Sequence, residues 1–84
     1  MLKYKIDVID ALNRIGFNLY QAKKTKILSQ DTYNKLKAND TNITLKSINN
    51  ICMLLDMQPK DLLIYEESDT DKELLNNFIS NKKK

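Results

Sequence analysis

Two short adjoining segments decide the fold, GFNLYQAKKTKI at residues 16–27 and LSQDTYNKLK at residues 28–37. Each has apolar residues at helical spacing and a polar residue suited to cap a helix at its start, Asn18 in the first and Ser29 in the second. The break between the segments is short. The pattern therefore predicts two helices joined by a tight turn, the first over residues 18–25 and the second over Gln30–Lys37.

The segment before this pair predicts a first helix. Asp7 is suited to cap it, and Gly16 can adopt the left-handed conformation that ends it. Apolar residues recur between them at helical spacing, and we expect them to face the core: Val8, Ile9, Leu12 and Ile15. Sequence features typical of β-strands are few. Residues 1–6 are the only place where a short extended segment is allowed for.

Two further helices are predicted after the pair. Asn39 tolerates the left-handed conformation and is expected near the end of the third helix. Thr44 caps the segment Leu45–Leu55, whose expected inward stripe is Leu45, Ile48, Ile51, Cys52 and Leu55. Pro59 suits the first position of a short fifth helix, where its missing N–H costs nothing. The residues expected to close the core are Leu62, Leu63 and Tyr65.

Residues 67–84 are predicted to add a C-terminal element to a domain formed by residues 1–66. Residues 66–71 are acidic and predict a linker, and Thr70-x-x-Glu73 resembles a capping box that opens a last helix. Lys82–Lys84 form a basic tail. One side of this helix carries an apolar strip that is a candidate dimer contact, the alternative being that it folds back onto its own domain: Leu74, Leu75, Phe78 and Ile79.

The composition favours one small helical domain without chemistry of its own. The 84 residues include one Gly, one Pro, one Cys and no His. The absence of His removes the commonest general base and metal ligand, and no phosphate-binding loop or metal-ligand spacing occurs. We therefore expect no enzyme, no cofactor and no small-molecule ligand. A lone Cys suits a reducing compartment, and without an apolar leader or span the sequence predicts a soluble, cytoplasmic protein.

Charge is unevenly distributed along the chain. Residues 14–46 contain seven Lys or Arg and two Asp, a net charge of +5, whereas residues 66–81 contain five acidic residues and one Lys, a net charge of −4. Basic charge attracts nucleic acid through counterion release. Lysines that only solvate helix faces would give the same count, so the charge alone leaves both interpretations open.

The run from Asp7 to Glu66 resembles the lambda-repressor-like helix-turn-helix regulators, also called the Xre type. The pieces that carry the resemblance keep their order and spacing: Gly16-Phe17-Asn18, Leu28-Ser29-x-x-Thr32-Tyr33, Thr44-Leu45-Lys46-x-Ile48-x-x-Ile51-Cys52 and Leu55-x-x-Gln58-Pro59-x-Asp61-Leu62-Leu63-x-Tyr65. The resemblance implies an all-α fold of five helices, followed here by the C-terminal helix. It also implies sequence-specific binding to double-stranded DNA, as a transcriptional repressor.

The resemblance further implies that the third helix enters the major groove. Gln30, Asn34 and Lys35 are the candidates for contacting bases, and a Gln amide can make two hydrogen bonds with adenine. Thr32 either packs beneath this helix or contacts a thymine methyl group. Contacts to the DNA backbone are expected from a larger set, of which each member has a solvated surface residue as its alternative: Asn18, Ser29, Lys23, Lys24, Lys37, Asn39 and Asn42.

The sequence departs from this family at the end of the second helix. Lys23 and Lys26 stand where the family often has a small and an apolar residue, and Ile27 stands at the usual turn glycine. A β-branched residue resists positive φ. We therefore expect a different turn, with a wider or rotated crossing of the second and third helices.

Two other functions fit the same sequence. One is a protein-interaction module, such as an antitoxin or a regulator-binding protein, which the acidic segment and the modest net charge favour. The other is an architectural DNA binder without sequence preference. If the chain does bind specific DNA, a homodimer on two half-sites about 34–36 Å apart is expected, because one unit contacts only a few base pairs.

Overall fold

The computed structural model describes residues 1–82 and is mostly helical, with 62% of residues in helices. Its elements are, in chain order, β1 (Leu2–Tyr4), α1 (Val8–Arg14), α2 (Leu19–Thr25), α3 (Gln30–Lys37), α4 (Leu45–Leu55), α5 (Pro59–Leu62), β2 (Leu63–Tyr65) and α6 (Asp69–Lys82). The helical character and the order of the helices are as expected. The expected all-α fold is confirmed in part: the described residues are mostly helical, but two short strands also form a small sheet. Of the predicted basic tail, Lys83 and Lys84 lie outside the described residues.

The helices α1 to α4 begin at the residues that the sequence predicts. Each cap accepts a hydrogen bond from the backbone N–H three residues later, at 3.0–3.1 Å, the four caps being Asp7, Asn18, Ser29 and Thr44. Caps of this kind stabilise a helix by about 1 kcal/mol each. Gly16 (φ 80°) and Asn39 (φ 57°) adopt the left-handed conformation expected of them after α1 and α3.

The two strands pair in antiparallel fashion and join the start of the chain to the segment after α5. Leu2 lies opposite Tyr65, and Tyr4 lies opposite Leu63. Residues 1–6 therefore do contain the short extended segment allowed for them. Tyr65 does not close the core as expected: it is 61% exposed, because its strand places it at the sheet surface while Leu62 is fully buried.

A single core unites the N-terminal helices with α5. Its fully buried large side chains come from α1, the α2–α3 connection, α4 and α5: Leu12, Leu28, Ile51 and Leu62. Phe17, Ala22, Tyr33 and Leu36 are buried around them. The core thus holds α3 against α1, α2 and α4 by its inner face only, which leaves the opposite face of α3 to solvent.

Two residues expected in the core are exposed. Ile15 is 51% exposed and Leu45 is 87% exposed. Ile15 follows the last turn of α1, and Leu45 is the first residue of α4. The apolar stripe of a helix faces its neighbours along the middle turns, and at these two ends no neighbouring helix covers it.

The last helix starts earlier than predicted and is anchored at its start. Ser68 caps it: its hydroxyl accepts from the backbone N–H of Asp71, whose carboxylate accepts from the Ser68 N–H. Thr70-x-x-Glu73 is therefore not the capping box, and residues 69–71 form the first turn of α6 rather than a linker. The N-terminal ammonium of Met1 also contacts Asp71, and these hydrogen bonds lower the pKa of Asp71 to about 2.

Beyond its first turn, α6 extends away from the core. The molecule measures 55 × 21 × 19 Å, and every residue from 72 to 81 is exposed. The four side chains of its apolar strip are 41–63% exposed: Leu74, Leu75, Phe78 and Ile79. None of the helices formed by residues 1–82 has the length and apolar character of a membrane-spanning segment.

Candidate nucleic-acid interface

The two faces of α3 differ sharply in burial. Tyr33 and Leu36 are buried on its inner face, whereas Gln30 and Asn34 are exposed on its outer face. The outer face near the N-terminus therefore displays amide groups that are not used in packing. Side chains of this kind at the start of a helix are suited to contact base edges in a major groove.

The N-terminus of α3 is tied to the N-terminus of α4 by hydroxyl groups. The Ser29 hydroxyl donates to the Thr32 hydroxyl at 3.0 Å, which lies 3.4 Å from the hydroxyl of Ser47. Ser47 in turn lies 3.0 Å from the hydroxyl of its cap, Thr44. Thr32 is only 9% exposed. Of its two expected roles, packing beneath α3 is therefore the one that the structure supports.

The turn between α2 and α3 is built without glycine. Lys26, not Ile27, adopts the left-handed conformation, with φ at 60°. Ile27 keeps an ordinary backbone conformation and packs against the core. The side-chain amide of Asn50 on α4 donates to the Ile27 carbonyl at 2.8 Å. The left-handed residue has thus moved one position toward α2, and α4 satisfies the carbonyl that the turn exposes.

A cleft of about 340 Å³ lies between α2 and α3. Its lining brings together three of the predicted site residues, Lys23, Ser29 and Gln30, with Ala22, Lys26 and Leu28. Lys23 and Lys26 are exposed, and a lysine can cover apolar surface with its stem while its ammonium stays in water. The two lysines at family-atypical positions therefore lie beside the N-terminal end of α3 and add positive charge there.

Lys35 is more constrained than the sequence suggested. Its ammonium donates to the carbonyl of Asn42 at 3.1 Å and lies 3.3 Å from the carboxylate of Asp31. The backbone N–H of Asn42 donates to the Asp40 side chain, and this hydrogen bond holds Asn42 in position. A base contact by Lys35 would require it to leave these partners, whereas Gln30 and Asn34 need no such change.

The remaining basic candidates lie apart from the α2–α3 cleft. The ammonium of Lys24 lies 5.8 Å from the centroid of the Tyr20 ring, and that of Lys37 lies 5.9 Å from the Tyr33 ring. Both lysines are exposed. Asn39, at the left-handed end of α3, and Asn42 line a second cleft together with β1.

The Asp40 carbonyl accepts a hydrogen bond from the Tyr4 hydroxyl at 2.8 Å. Burial, and secondarily Asp40, raises the pKa of this Tyr4 hydroxyl. The strand that the sequence barely predicted therefore supports the loop between α3 and α4, in which Asn42 lies.

Sequence reasoning missed two residues that shape this surface. Asn50 holds the turn, and Lys26 adopts its strained conformation and lines the cleft. The signal for Asn50 was available, since a polar residue beside the apolar stripe of α4 needs a partner. No signal distinguished Lys26, because the sequence does not show which residue of a turn takes positive φ when none is Gly, Asn or Asp.

Residues 19–68 match the family model of the Cro/C1-type helix-turn-helix DNA-binding domain. The match covers more than half of the chain and includes α2, α3, α4 and α5. The chain belongs to this family. The expected resemblance to lambda-repressor-like regulators is thereby confirmed, and with it DNA binding in transcription regulation. No curated protein and no solved structure matched the chain.

The matched range contains α2 and α3, the two helices that the sequence predicts to be joined by a tight turn. Helix α1, helix α6 and the strand β1 lie outside the matched range. Members of such DNA-binding families are generally not enzymes. Among residues 1–82, no group of three His, Cys, Asp or Glu is placed to hold a metal ion.

The strained turn yields a test by substitution. Lys26→Gly should stabilise the domain by about 0.5 kcal/mol, because glycine adopts positive φ without the steric cost that a side chain incurs. Lys24→Gly, two residues earlier inside α2, should instead destabilise it by about 1 kcal/mol. Urea unfolding followed by circular dichroism measures both. Equal destabilisation by the two glycines would contradict the left-handed assignment of Lys26.

Proposed function

We propose that this protein is a transcriptional repressor that recognises a specific double-stranded DNA sequence, with α3 in the major groove. The observation that supports this most is the exposed outer face of α3, where Gln30 and Asn34 have no packing role. Gln30 is the principal base contact, with Asn34 one turn along the same face. Repression is proposed because occupation of a site by a small domain is enough to block transcription.

Backbone contacts are proposed to orient the domain on the duplex. Asn18 uses its side-chain oxygen to cap α2, which leaves its amide group as a donor for a phosphate. Ser29 lies at the N-terminus of α3, where the helix dipole favours an anion. Further phosphate contacts are proposed for exposed basic and amide side chains around these two ends: Lys23, Lys24, Lys37, Asn39 and Asn42.

Lys35 is proposed as a secondary base contact. Its ammonium is shared between the Asn42 carbonyl and Asp31 in the free protein. The Asp31 pair is exposed and therefore weak, on the order of 0.5 kcal/mol. A base or phosphate oxygen can replace these partners at small cost, so Lys35 contributes less to specificity than Gln30.

Gln30→Ala tests the base-contacting role. It should weaken binding to a selected site by about tenfold or more, because a Gln–adenine pair contributes roughly 1–3 kcal/mol of discrimination. Binding to random duplex should hardly change. The matched control is Lys24→Ala, which should weaken binding to both duplexes similarly and reduce the slope of log affinity against log salt by about one. Fluorescence anisotropy on both duplexes measures these quantities.

The outcomes separate the alternatives. Equal affinity of the unmodified protein for selected and random duplex would indicate an architectural binder. Absence of any salt-dependent binding would indicate a protein-interaction module on the same fold. Equal losses on both duplexes for Gln30→Ala would contradict its role in sequence recognition.

We propose further that residues 1–66 are the DNA-binding unit and that residues 67–84 provide self-association. The apolar strip on α6 is exposed beyond a complete core, and a single helix-turn-helix contacts too few base pairs for genomic specificity. Truncation after Glu67 should leave a folded monomer that binds a palindromic site poorly. Sedimentation with a palindromic duplex measures this, and one full-length copy per site would contradict the dimer.

A further inference from the structure

An acidic residue lies on the face of α3 that is proposed to enter the major groove. Leu36, which is buried, marks the inner face of this helix. At about 100° per residue, Gln30 lies about 120° around the helix from Leu36. Asp31 lies about 140° from it, and the Asp31 side chain is 78% exposed. The Asp31 carboxylate is therefore closer to the middle of the outer face than Gln30, the proposed principal base contact.

Contacts within the domain account for Asp31 only while the protein is free. The helix dipole favours an acidic residue in the first turn of α3, and the Lys35 ammonium, one turn later, lies 3.3 Å from the Asp31 carboxylate. Asp31 is not the cap of α3, because the Ser29 hydroxyl accepts from the Thr32 N–H. On DNA, a carboxylate on this face repels phosphates and the acceptor atoms of bases. Entry into the groove is therefore favourable only where a base edge offers a hydrogen-bond donor to Asp31.

The major-groove edges of the four bases differ in what they offer a carboxylate. Cytosine presents a donor, N4, and no acceptor, whereas adenine presents the N6 donor beside the N7 acceptor. Guanine presents two acceptors, and thymine presents an acceptor and a methyl group. A carboxylate is therefore attracted without opposition by cytosine alone. The guanine paired with that cytosine offers acceptors alone, which suit an ammonium. A carboxylate and an ammonium side by side are thus complementary to a C·G base pair.

The charged groups of Asp31 and Lys35 already lie at the spacing of that base pair. Nζ of Lys35 lies 3.3 Å from Oδ2 of Asp31, and cytosine N4 lies ~2.9 Å from guanine O6, to which it is hydrogen-bonded. In the free protein the ammonium also donates to the Asn42 carbonyl. If it turned to a phosphate, Asp31 would be left in the groove without a cation. If it turns to guanine while cytosine N4 donates to the carboxylate, neither charge is left unpaired.

We propose that Asp31 and Lys35 together recognise a C·G base pair, in which Asp31 accepts from cytosine N4 and Lys35 donates to guanine O6 and N7. The inference rests on the proposed function, because it requires α3 to lie in the major groove, and it adds a second base pair to the adenine assigned to Gln30. Asp31 is then a specificity-determining residue. It favours cytosine by attraction and rejects thymine and guanine at the same position by repulsion.

Asp31→Ala tests this pair on a duplex selected by the full chain from a randomised library. Each position is replaced by the four base pairs in turn, and affinities are measured by fluorescence anisotropy. At one position other than the Gln30 adenine, the unmodified protein should prefer C·G over T·A about tenfold or more, and Asp31→Ala should lose this preference. The matched control is Asp10→Ala, which removes the carboxylate of an equivalent pair, 2.9 Å from Arg14 on α1. It should keep the preference.

Base analogues identify the atoms involved. Pyrimidin-2-one pairs with guanine but lacks the 4-amino group of cytosine. In place of that cytosine it should weaken binding of the unmodified protein about tenfold, and it should hardly affect Asp31→Ala, because the contact is already lost. In the same way, 7-deazaguanine should weaken binding of the unmodified protein but not of Lys35→Ala. If Asp31 only stabilised the helix, the analogue would cause the same loss with and without its carboxylate.

Other outcomes overturn the inference. They are an A·T preference that depends on Asp31, an equal effect of Asp31→Ala at every base pair, or no effect at any. Should Asp31→Ala fail to fold by circular dichroism, Asp31→Asn, which keeps the size of the side chain, must lose the C·G preference instead. If Gln30→Ala loses its adenine preference while the Asp31 variants lose none, the C·G inference fails alone. If the unmodified protein prefers no sequence, the proposed function fails and this inference fails with it.

Discussion

The hydrogen bond from the Asn50 amide to the carbonyl of Ile27, at 2.8 Å, fixes the turn that leads into α3, the helix proposed to contact DNA bases. The turn has no glycine, so Lys26 carries the strain of positive φ and the following carbonyl needs a partner. Helix α4 supplies that partner and buries Ile51 next to it. Helix α4 also contacts α3, because the Ser47 hydroxyl lies close to the Thr32 hydroxyl. The same helix therefore positions both the turn before α3 and the first turn of α3.

This arrangement explains how a small chain can hold α3, the helix proposed to contact bases, in place. The inner face of α3 is held by apolar contacts through Tyr33 and Leu36, and its N-terminus is held by hydroxyl groups. The outer face of α3 is exposed and is not needed for packing. The two lysines at atypical positions, Lys23 and Lys26, face solvent at the α2–α3 cleft, so they are compatible with the fold and add positive charge where a phosphate backbone would pass.

Local signals predicted the elements that are determined locally. Asp7, Asn18, Ser29 and Thr44 are caps in the structure because a side chain and a backbone N–H three residues later suffice to form one. Burial at the ends of elements depends instead on whether a distant segment covers the residue. Leu45 matched the stripe of α4 but no neighbour covers it, and it is 87% exposed.

The same distinction explains the sheet and the start of α6. Leu2 pairs with Tyr65, more than sixty positions away, and such a pairing leaves no trace in a local pattern. The Asp71 carboxylate takes part in the cap of α6 and also contacts the N-terminal ammonium. The sequence alone favoured Thr70 and Glu73 as the cap equally well. For the site, the polar face of α3 could be predicted, but the commitment of Lys35 to Asn42 and the role of Asn50 could not, because both contacts join separate elements.

The central claim is that the outer face of α3 contacts base edges while the rest of the domain holds it in place. Intermolecular nuclear Overhauser effects between the side-chain amide protons of Gln30 and base protons of a selected duplex test it most directly. The account predicts such contacts from Gln30 and from Asn34, with backbone amides at the starts of α2 and α3 also perturbed. A specific complex in which neither amide lies near a base would contradict it.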